Sequence, residues 1–180
     1  MNKKLLRIAM LLLLFACNQK KEATYVNALK EIQQLATAEY IVTKVVKADD
    51  NKAWYKLGDR KILISCKATL KAGIDFTKLK KGDIKEKRKK LFVLLPQPQI
   101  LSLSISPEDI SVEYVEVTLM RDNFTNADRD ALLAQAESQI RKQADSLGIL
   151  TTAKENAASF VRSFFKNTGF EEVEVNFKNK

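Results

Sequence analysis

The fold of this chain is decided by one stretch, Ile62-Leu63-Ile64-Ser65-Cys66-Lys67-Ala68-Thr69-Leu70. From Ile62 onward every second residue is apolar, and a period of two is typical of a strand that buries one face. The residues predicted to share the buried face are Ile62, Ile64, Cys66, Ala68 and Leu70. The stretch therefore predicts a strand at the centre of the chain, from Lys61 to Leu70.

Two roles are open for Cys66, a small buried hydrophobe and a reactive thiol. Its place on the apolar face favours the buried hydrophobe. We therefore expect Cys66 to contribute to packing.

Further strands are predicted on both sides of this stretch. Gly73 is expected to break the central strand, and apolar positions that change face between Tyr114 and Val115 indicate a bulge. Pro96 and Pro98 should end the strand before them, because proline donates no ladder hydrogen bond. The predicted strands are Tyr40–Val46, Trp54–Leu57, Lys61–Leu70, Leu91–Leu95, Ile100–Ile105 and Ile110–Leu119.

Helices are predicted at both ends of this strand-rich part. Apolar residues at three- and four-residue spacing predict an amphipathic helix over Ala23–Thr37. Thr125 caps a second helix that Gly148 ends, and the capping box at Thr152 begins a third helix that ends at Gly169. A closing strand, Glu172–Phe177, follows. This order predicts one α+β domain over residues 23–180, with an antiparallel-rich sheet of about five strands.

The N-terminus has the pattern of a secretory signal. Lys3, Lys4 and Arg7 precede the apolar run Ile8–Ala16, which is too short to span a bilayer. The run ends at Cys17, and Leu14-Phe15-Ala16-Cys17 resembles the lipobox of bacterial lipoproteins. That resemblance implies a signal peptide at residues 1–16, diacylglycerol on the Cys17 sulfur, palmitate-type acylation of the new N-terminus and a tether at residues 17–22. An ordinary signal peptide with a chance cysteine remains the alternative.

Composition excludes many kinds of site. The chain has no histidine, which removes the commonest general base and most zinc and copper sites. The glycines form no phosphate-binding loop, and no nucleophile elbow surrounds any serine. We expect no catalytic residue, no metal, no cofactor and no enzymatic activity.

The net charge of +9 is concentrated in one place. The signal segment contributes three charges and leaves +6, which equals the excess of eight basic over two acidic residues between Lys78 and Lys90. The sequence Glu86–Lys90 is predicted to be a hairpin tip. The residues predicted to contact an anionic surface are Lys85, Lys87, Arg88, Lys89 and Lys90. Anionic lipid is one partner for them, while a solvated tip that discourages edge pairing is the alternative. Nucleic acid is excluded by the expected location and by the lack of interleaved aromatic residues.

Three carboxylate pairs are candidates for acid–base or calcium chemistry: Asp49-Asp50, Glu108-Asp109 and Glu171-Glu172. None has the ligand spacing of a calcium loop or an evident partner. Turn and cap roles are therefore predicted for all three, with Asp49-Asp50 in a loop.

Several segments together resemble a known family. They are Leu35–Tyr40, Trp54–Lys61, Ala72–Phe76, Leu95–Leu101 and Gly169–Val175. In these segments the chain resembles the domain-of-unknown-function family 4230 of bacterial envelope proteins. The resemblance implies no activity and assigns no residue a role.

These observations predict a membrane-anchored envelope lipoprotein whose domain is a non-catalytic binding or interaction module. Its partners would be the membrane and an envelope protein, and its oligomeric state is open. The alternatives are a protein that binds a small apolar or lipid ligand between sheet and helices, and a hydrolase with an unrecognised site. Lys20 and Lys21 do not match the acidic signal for surface export, so the periplasmic side is expected. Asn18 in place of aspartate favours the outer membrane over the inner.

Overall fold

The structure is a computed structural model that describes residues 22–50, 58–118 and 121–179. It confirms the α+β class, with three helices and seven strands in these ranges. The helices are α1 (helical at residues 22–30), α2 (Asn126–Gln143) and α3 (Ile149–Lys166). The strands are β1 (Gln34–Asp50), β2 (Arg60–Asp75), β3 (Ile84–Lys87), β4 (Lys90–Leu95), β5 (Gln99–Ser104), β6 (Ile110–Val117) and β7 (Glu172–Phe177).

The strands form two sheets where one sheet of about five strands is predicted. In the four-stranded sheet, β2 is the common neighbour of β1, β5 and β6. In the three-stranded sheet, β4 lies between β3, which is antiparallel to it, and the closing strand β7, which is parallel to it. The predicted strand Trp54–Leu57 lies outside the described residues.

The chain divides into two compact units, each with a hydrophobic core of its own. The first unit contains residues 22–37, 73–101 and 151–179 of the described chain, and the second contains residues 38–50, 58–72, 102–118 and 121–150. The core of the first unit includes Val26, Leu29, Phe76, Leu91, Val93, Val161, Phe165, Val173 and Val175. The core of the second unit consists of Val46, Ile62, Ile64, Cys66, Phe124, Leu132 and Ala136.

In the first unit, α1 is shorter than the predicted helix Ala23–Thr37. Gln33 has a φ of +59°, outside the helical region, and β1 begins at the next residue. The Gln33 carbonyl accepts a hydrogen bond from the Phe76 N–H at 2.8 Å. This long-range bond fixes the chain reversal, which the helical spacing of nearby apolar residues could not reveal.

Gly73 does not break the central strand, because β2 continues to Asp75. A Cβ atom at position 73 would lie 1.9 Å from the Leu35 carbonyl oxygen. Glycine is required here for the close approach of two backbones within the first unit, and the prediction of a strand end is wrong.

The second unit confirms the alternation that decides the fold. Every residue of the predicted buried face, from Ile62 to Leu70, is buried. The β2–β6 register shifts between Leu63 and Ile64, whose partners are Tyr114 and Val112. The bulge is therefore at Glu113, one residue before the predicted position.

The helix starts give a mixed result. Thr125 caps α2, and its side chain and that of Asp128 form a capping box. However, α3 begins at Ile149 and not at the predicted capping box around Thr152. Ile149 is fully buried, so the first residue of α3 packs in the core three residues before the predicted start.

Candidate interaction surface

The basic stretch forms the predicted hairpin tip. Strands β3 and β4 pair so that Lys85 is opposite Phe92 and Lys87 is opposite Lys90. Arg88 and Lys89 form the turn between them, and Arg88 has a φ of +59°. The prediction of a hairpin with a basic tip is confirmed.

The two faces of β4 differ in burial. Leu91, Val93 and Leu95 are buried, whereas Phe92 and Leu94 remain 37% and 38% exposed. Residues opposite each other in an antiparallel pair share a face of the sheet. Lys85 and Lys87 therefore lie on the same outer face as Phe92.

Strand β7 brings acidic side chains to this face. Glu172 is in register with Lys90 and forms an ion pair with it. The Lys89 Nζ atom lies 2.6 Å from Glu171 Oε1. Hydrogen bonds to Glu171 and Glu172 raise the pKa of Lys89 and Lys90 respectively. Two of the five basic residues predicted to contact an anionic surface thus have acidic partners within the chain.

The other three basic residues, Lys85, Lys87 and Arg88, are exposed. None of them has an ion pair with another described residue. Together with Phe92 they form a patch that we call the hairpin surface. A surface cleft of about 540 Å³ opens beside the hairpin surface, lined by Lys87, Arg88, Lys89, Lys90, Phe92 and Glu171. The hairpin surface therefore combines a half-exposed aromatic ring with three cations that form no ion pair in the described ranges. The exposed Glu174 of β7 is in register with Phe92 and lies on the same face.

The inner side of the hairpin is attached to α1. The Tyr25 hydroxyl donates a hydrogen bond to Glu86 Oε2 at 3.1 Å. The Tyr25 ring also makes edge-to-face contacts with Phe165 and Phe170, with centroids 5.9 and 5.5 Å away. Burial, and then the Glu86 carboxylate, raise the pKa of Tyr25. These contacts hold the hairpin, so its outer residues are presented on a fixed support.

The structure describes one of the two cysteines. Cys66 is a free, buried thiol, and burial is the largest cause that raises its pKa. A raised pKa disfavours the thiolate, so the predicted role of a small buried hydrophobe is confirmed. Cys17 lies outside the described residues.

The carboxylate pairs lie in three different settings. Glu171 and Glu172 bind the hairpin lysines, and Glu108 and Asp109 lie in a 3₁₀ turn. Asp49 and Asp50 end β1, so their prediction as loop residues is wrong. Within the described ranges, no three potential metal ligands among aspartate, glutamate and cysteine come together. No helix in those ranges is both long and apolar enough to cross a bilayer.

The acidic partners of the hairpin and the exposed ring of Phe92 were not predicted. In sequence, Leu91–Leu95 is uniformly apolar, which hides the fact that one face of β4 is uncovered. A signal was nevertheless present. The apolar run Leu91–Leu95 follows Lys89 and Lys90 directly and is followed by Pro96. These flanking residues indicate a short strand near the protein surface.

One family of known proteins matches the chain. The family is described as "Protein of unknown function (DUF4230)", and the match covers residues 27–175. The chain matches no curated protein, and it matches no solved structure.

Proposed function

We propose that this chain, which belongs to the DUF4230 family of proteins of unknown function, is a cell-envelope lipoprotein anchored through Cys17. Its folded part would be a non-catalytic interaction module that contacts anionic membrane lipid. The hairpin surface is the observation that carries this proposal. Cys17 supports the anchor because it follows the apolar run Ile8–Ala16 directly.

The hairpin surface suits a bilayer interface. Each basic residue close to an anionic surface contributes about 1 kcal/mol. Lys85, Lys87 and Arg88 together contribute roughly 3 kcal/mol, less the repulsion of the exposed Glu174, which is in register with Phe92. The apolar ring of Phe92 beside them suits the boundary between headgroups and acyl chains. Acyl chains on Cys17 supply the stable attachment, and the hairpin surface then orients the domain on the membrane.

Residues next to Cys17 support the proposed location. Lys20 and Lys21 differ from an acidic export signal, which favours the periplasmic side, and Asn18 favours the outer membrane. Protease treatment of intact cells tests this placement. The domain should resist digestion until the outer membrane is permeabilised, and digestion in intact cells would refute the periplasmic location.

Lysine acetylation tests the lipid contact without any substitution. The full chain is reconstituted in vesicles of phosphatidylcholine alone or with phosphatidylglycerol, and acetylation rates are measured by mass spectrometry. We expect Lys85 and Lys87 to react several-fold more slowly on the anionic vesicles, and the exposed Lys67 and Lys142 to react equally on both. At about 1 M salt the protection should vanish, because the Debye length falls to about 3 Å.

Equal rates for Lys85 and Lys87 on the two kinds of vesicle would refute the lipid contact. A variant with Lys85, Lys87 and Arg88 changed to glutamine complements this measurement. Its matched control is a triple change of Lys67, Lys142 and Lys166, which removes the same charge from other exposed positions. When all variants carry the same fluorescent label, quenchers in the lipid phase should quench the label less in the hairpin variant than in the unsubstituted chain. The control variant should be quenched as strongly as the unsubstituted chain.

A further inference from the structure

Strand β1 is an open edge of the four-stranded sheet. It is 17 residues long and pairs with β2, and in the described chain no strand lies on its other side. Unpaired backbone N–H and C=O groups at such an edge form a template for another strand. Long edges are usually protected, so the side chains of β1 decide what pairs with it.

Between residues 38 and 49 the side chains of β1 alternate in exposure. Glu39, Ile41, Thr43, Val45 and Lys47 are all exposed, while the residues between them are more buried. Ile41 is 73% exposed and Val45 is 51% exposed. Two large apolar side chains are thus left in water on one face of an open edge, where covering them is favourable.

The exposed residues complement a second copy of themselves. If two β1 strands pair in antiparallel fashion about Thr43, Glu39 lies opposite Lys47 and Ile41 lies opposite Val45. Two-fold symmetry produces both of these pairs twice, with Thr43 opposite its own counterpart. Opposite charges and β-branched pairs directly across two strands each stabilise pairing.

The charges also favour this register over its neighbours. A centre at Val42 would set Glu39 opposite Val45 and Lys47 opposite Thr37, without an ion pair. Moving the centre to Lys44 would place Glu39 opposite Asp49, which is a repulsive pair. A shift that brings the exposed residues opposite the more buried ones would place side chains on the wrong face. Parallel pairing in register would set Glu39 against Glu39 and Lys47 against Lys47.

The present partners of these charges are compatible with pairing. Glu39 Oε2 lies 3.3 Å from Lys71 Nζ, in an exposed ion pair that a second cation can join. Lys47 has no ion pair with another described residue. A second copy would therefore give Lys47 an acidic partner, which no residue in the described part of its own chain provides.

We propose that β1 pairs with β1 of a second copy of this chain, in an antiparallel register centred on Thr43. The four-stranded sheets of two copies then join into one continuous sheet. The pairing goes beyond the proposed lipid contact, because it uses neither Cys17 nor the hairpin surface.

A disulfide at the two-fold axis tests the register. Cα atoms of opposite residues lie about 4.5–5.5 Å apart, within the range a disulfide can bridge. The Thr43→Cys full chain, oxidised in membranes of the producing cells, should form a covalent dimer. The unsubstituted chain, with Cys17 and the buried Cys66, measures the background.

Two single variants on the same face are the matched controls. Residues 41 of the two copies would be displaced by about 13 Å along the strands, and so would residues 45. Ile41→Cys alone and Val45→Cys alone should therefore give only background dimer. When differently tagged chains are mixed, however, Ile41→Cys should cross-link to Val45→Cys. Equal cross-linking of all three single variants, or none by Thr43→Cys, would overturn the proposal.

A charge exchange provides a second test, made on the full chain in detergent by sedimentation velocity. Lys47→Glu sets two carboxylates against each other twice, so self-association should weaken roughly tenfold. Combining Lys47→Glu with Glu39→Lys restores opposite charges and should recover most of the affinity. A monomeric unsubstituted chain, or a combined variant as weak as Lys47→Glu alone, would contradict the pairing.

Discussion

The hairpin surface and the edge of β1 both expose apolar side chains of a sheet between charged residues, but their charges are arranged differently. The hairpin surface has, beside Phe92, three cations that pair with no acidic side chain of the described residues. Strand β1 has Glu39 and Lys47, of opposite sign, four residues on either side of Thr43. A cluster of positive charges repels the same cluster on a second copy and attracts an anionic partner. Opposite charges at symmetric positions attract a second copy. The arrangement of charge, more than the apolar area, distinguishes the two kinds of partner.

The two surfaces should also respond differently to salt. A contact made by exposed cations is screened when the Debye length falls. Strand pairing depends mainly on backbone hydrogen bonds and on the contact of Ile41 with Val45. Salt should therefore release the hairpin surface from lipid and leave β1 pairing largely intact.

The largest expected effect is the loss of membrane attachment on removal of the acylation site, which lies in neither the hairpin surface nor β1. Cys17→Ala removes the acylation site, and the chain should leave the membrane fraction because stable attachment requires acyl chains. The domain should still fold, with a circular dichroism spectrum like that of the unsubstituted chain. In the Cys17→Ala background, Thr43→Cys should still cross-link when the chain is concentrated.

Cys66→Ala is the control for this experiment. It removes a buried thiol and should lower the free energy of unfolding by about 1 kcal/mol, while the chain stays in the membrane fraction. A Cys17→Ala chain that remains in the membrane fraction would contradict the anchor.

Two phenylalanines of the first unit test whether Phe92 lies on an exposed face rather than in the core. Phe165 is 1% exposed, and Phe165→Ala should lower the free energy of unfolding by about 3–5 kcal/mol. Phe92 is 37% exposed, and Phe92→Ala should lower it by less than about 1 kcal/mol while weakening the protection of Lys85 on anionic vesicles. Urea unfolding measures both free energies. Equal losses of stability would show that Phe92 belongs to the core.

The sequence predicts features set by local periodicity. The alternation from Ile62 to Leu70, the basic turn at Arg88 and the cap at Thr125 all require only residues a few positions apart. Each of these was predicted correctly, because the period of a strand and the chemistry of a turn or cap are local properties.

Features set by distant residues could not be predicted in this way. The end of α1 depends on the Phe76 N–H, and the glycine at position 73 is explained only by the Leu35 carbonyl. The predicted basic site had five members, and two are neutralised because β7 pairs parallel with β4. Parallel pairing over such a sequence distance leaves no local pattern, so only the structure separates Lys89 and Lys90 from the three cations that have no ion pair where the chain is described.

A small effect is expected for the support of the hairpin. The pKa of Tyr25 is raised in the folded protein, so the folded state keeps the phenol proton at a pH where the unfolded chain has lost it. The stability due to this group is complete below the unfolded pKa of about 10 and falls as the pH rises through the folded pKa. Tyr25→Phe should cost about 1 kcal/mol near neutral pH, through the lost hydrogen bond to Glu86, and should flatten the alkaline decline.

Tyr114→Phe is the matched control, because the pKa of Tyr114 is also raised, by its hydrogen bond to Glu116 in the second unit. Both variants should therefore flatten the alkaline decline. Only Tyr25→Phe should speed the hydrogen exchange of β3 amides, since only Tyr25 contacts the hairpin. If exchange in β3 is unchanged in Tyr25→Phe, then the Tyr25 hydrogen bond does not restrain the hairpin, which would be held by its strand pairing, the buried Ile84 and the hydrogen bond from the Glu86 N–H to Glu22 Oε1.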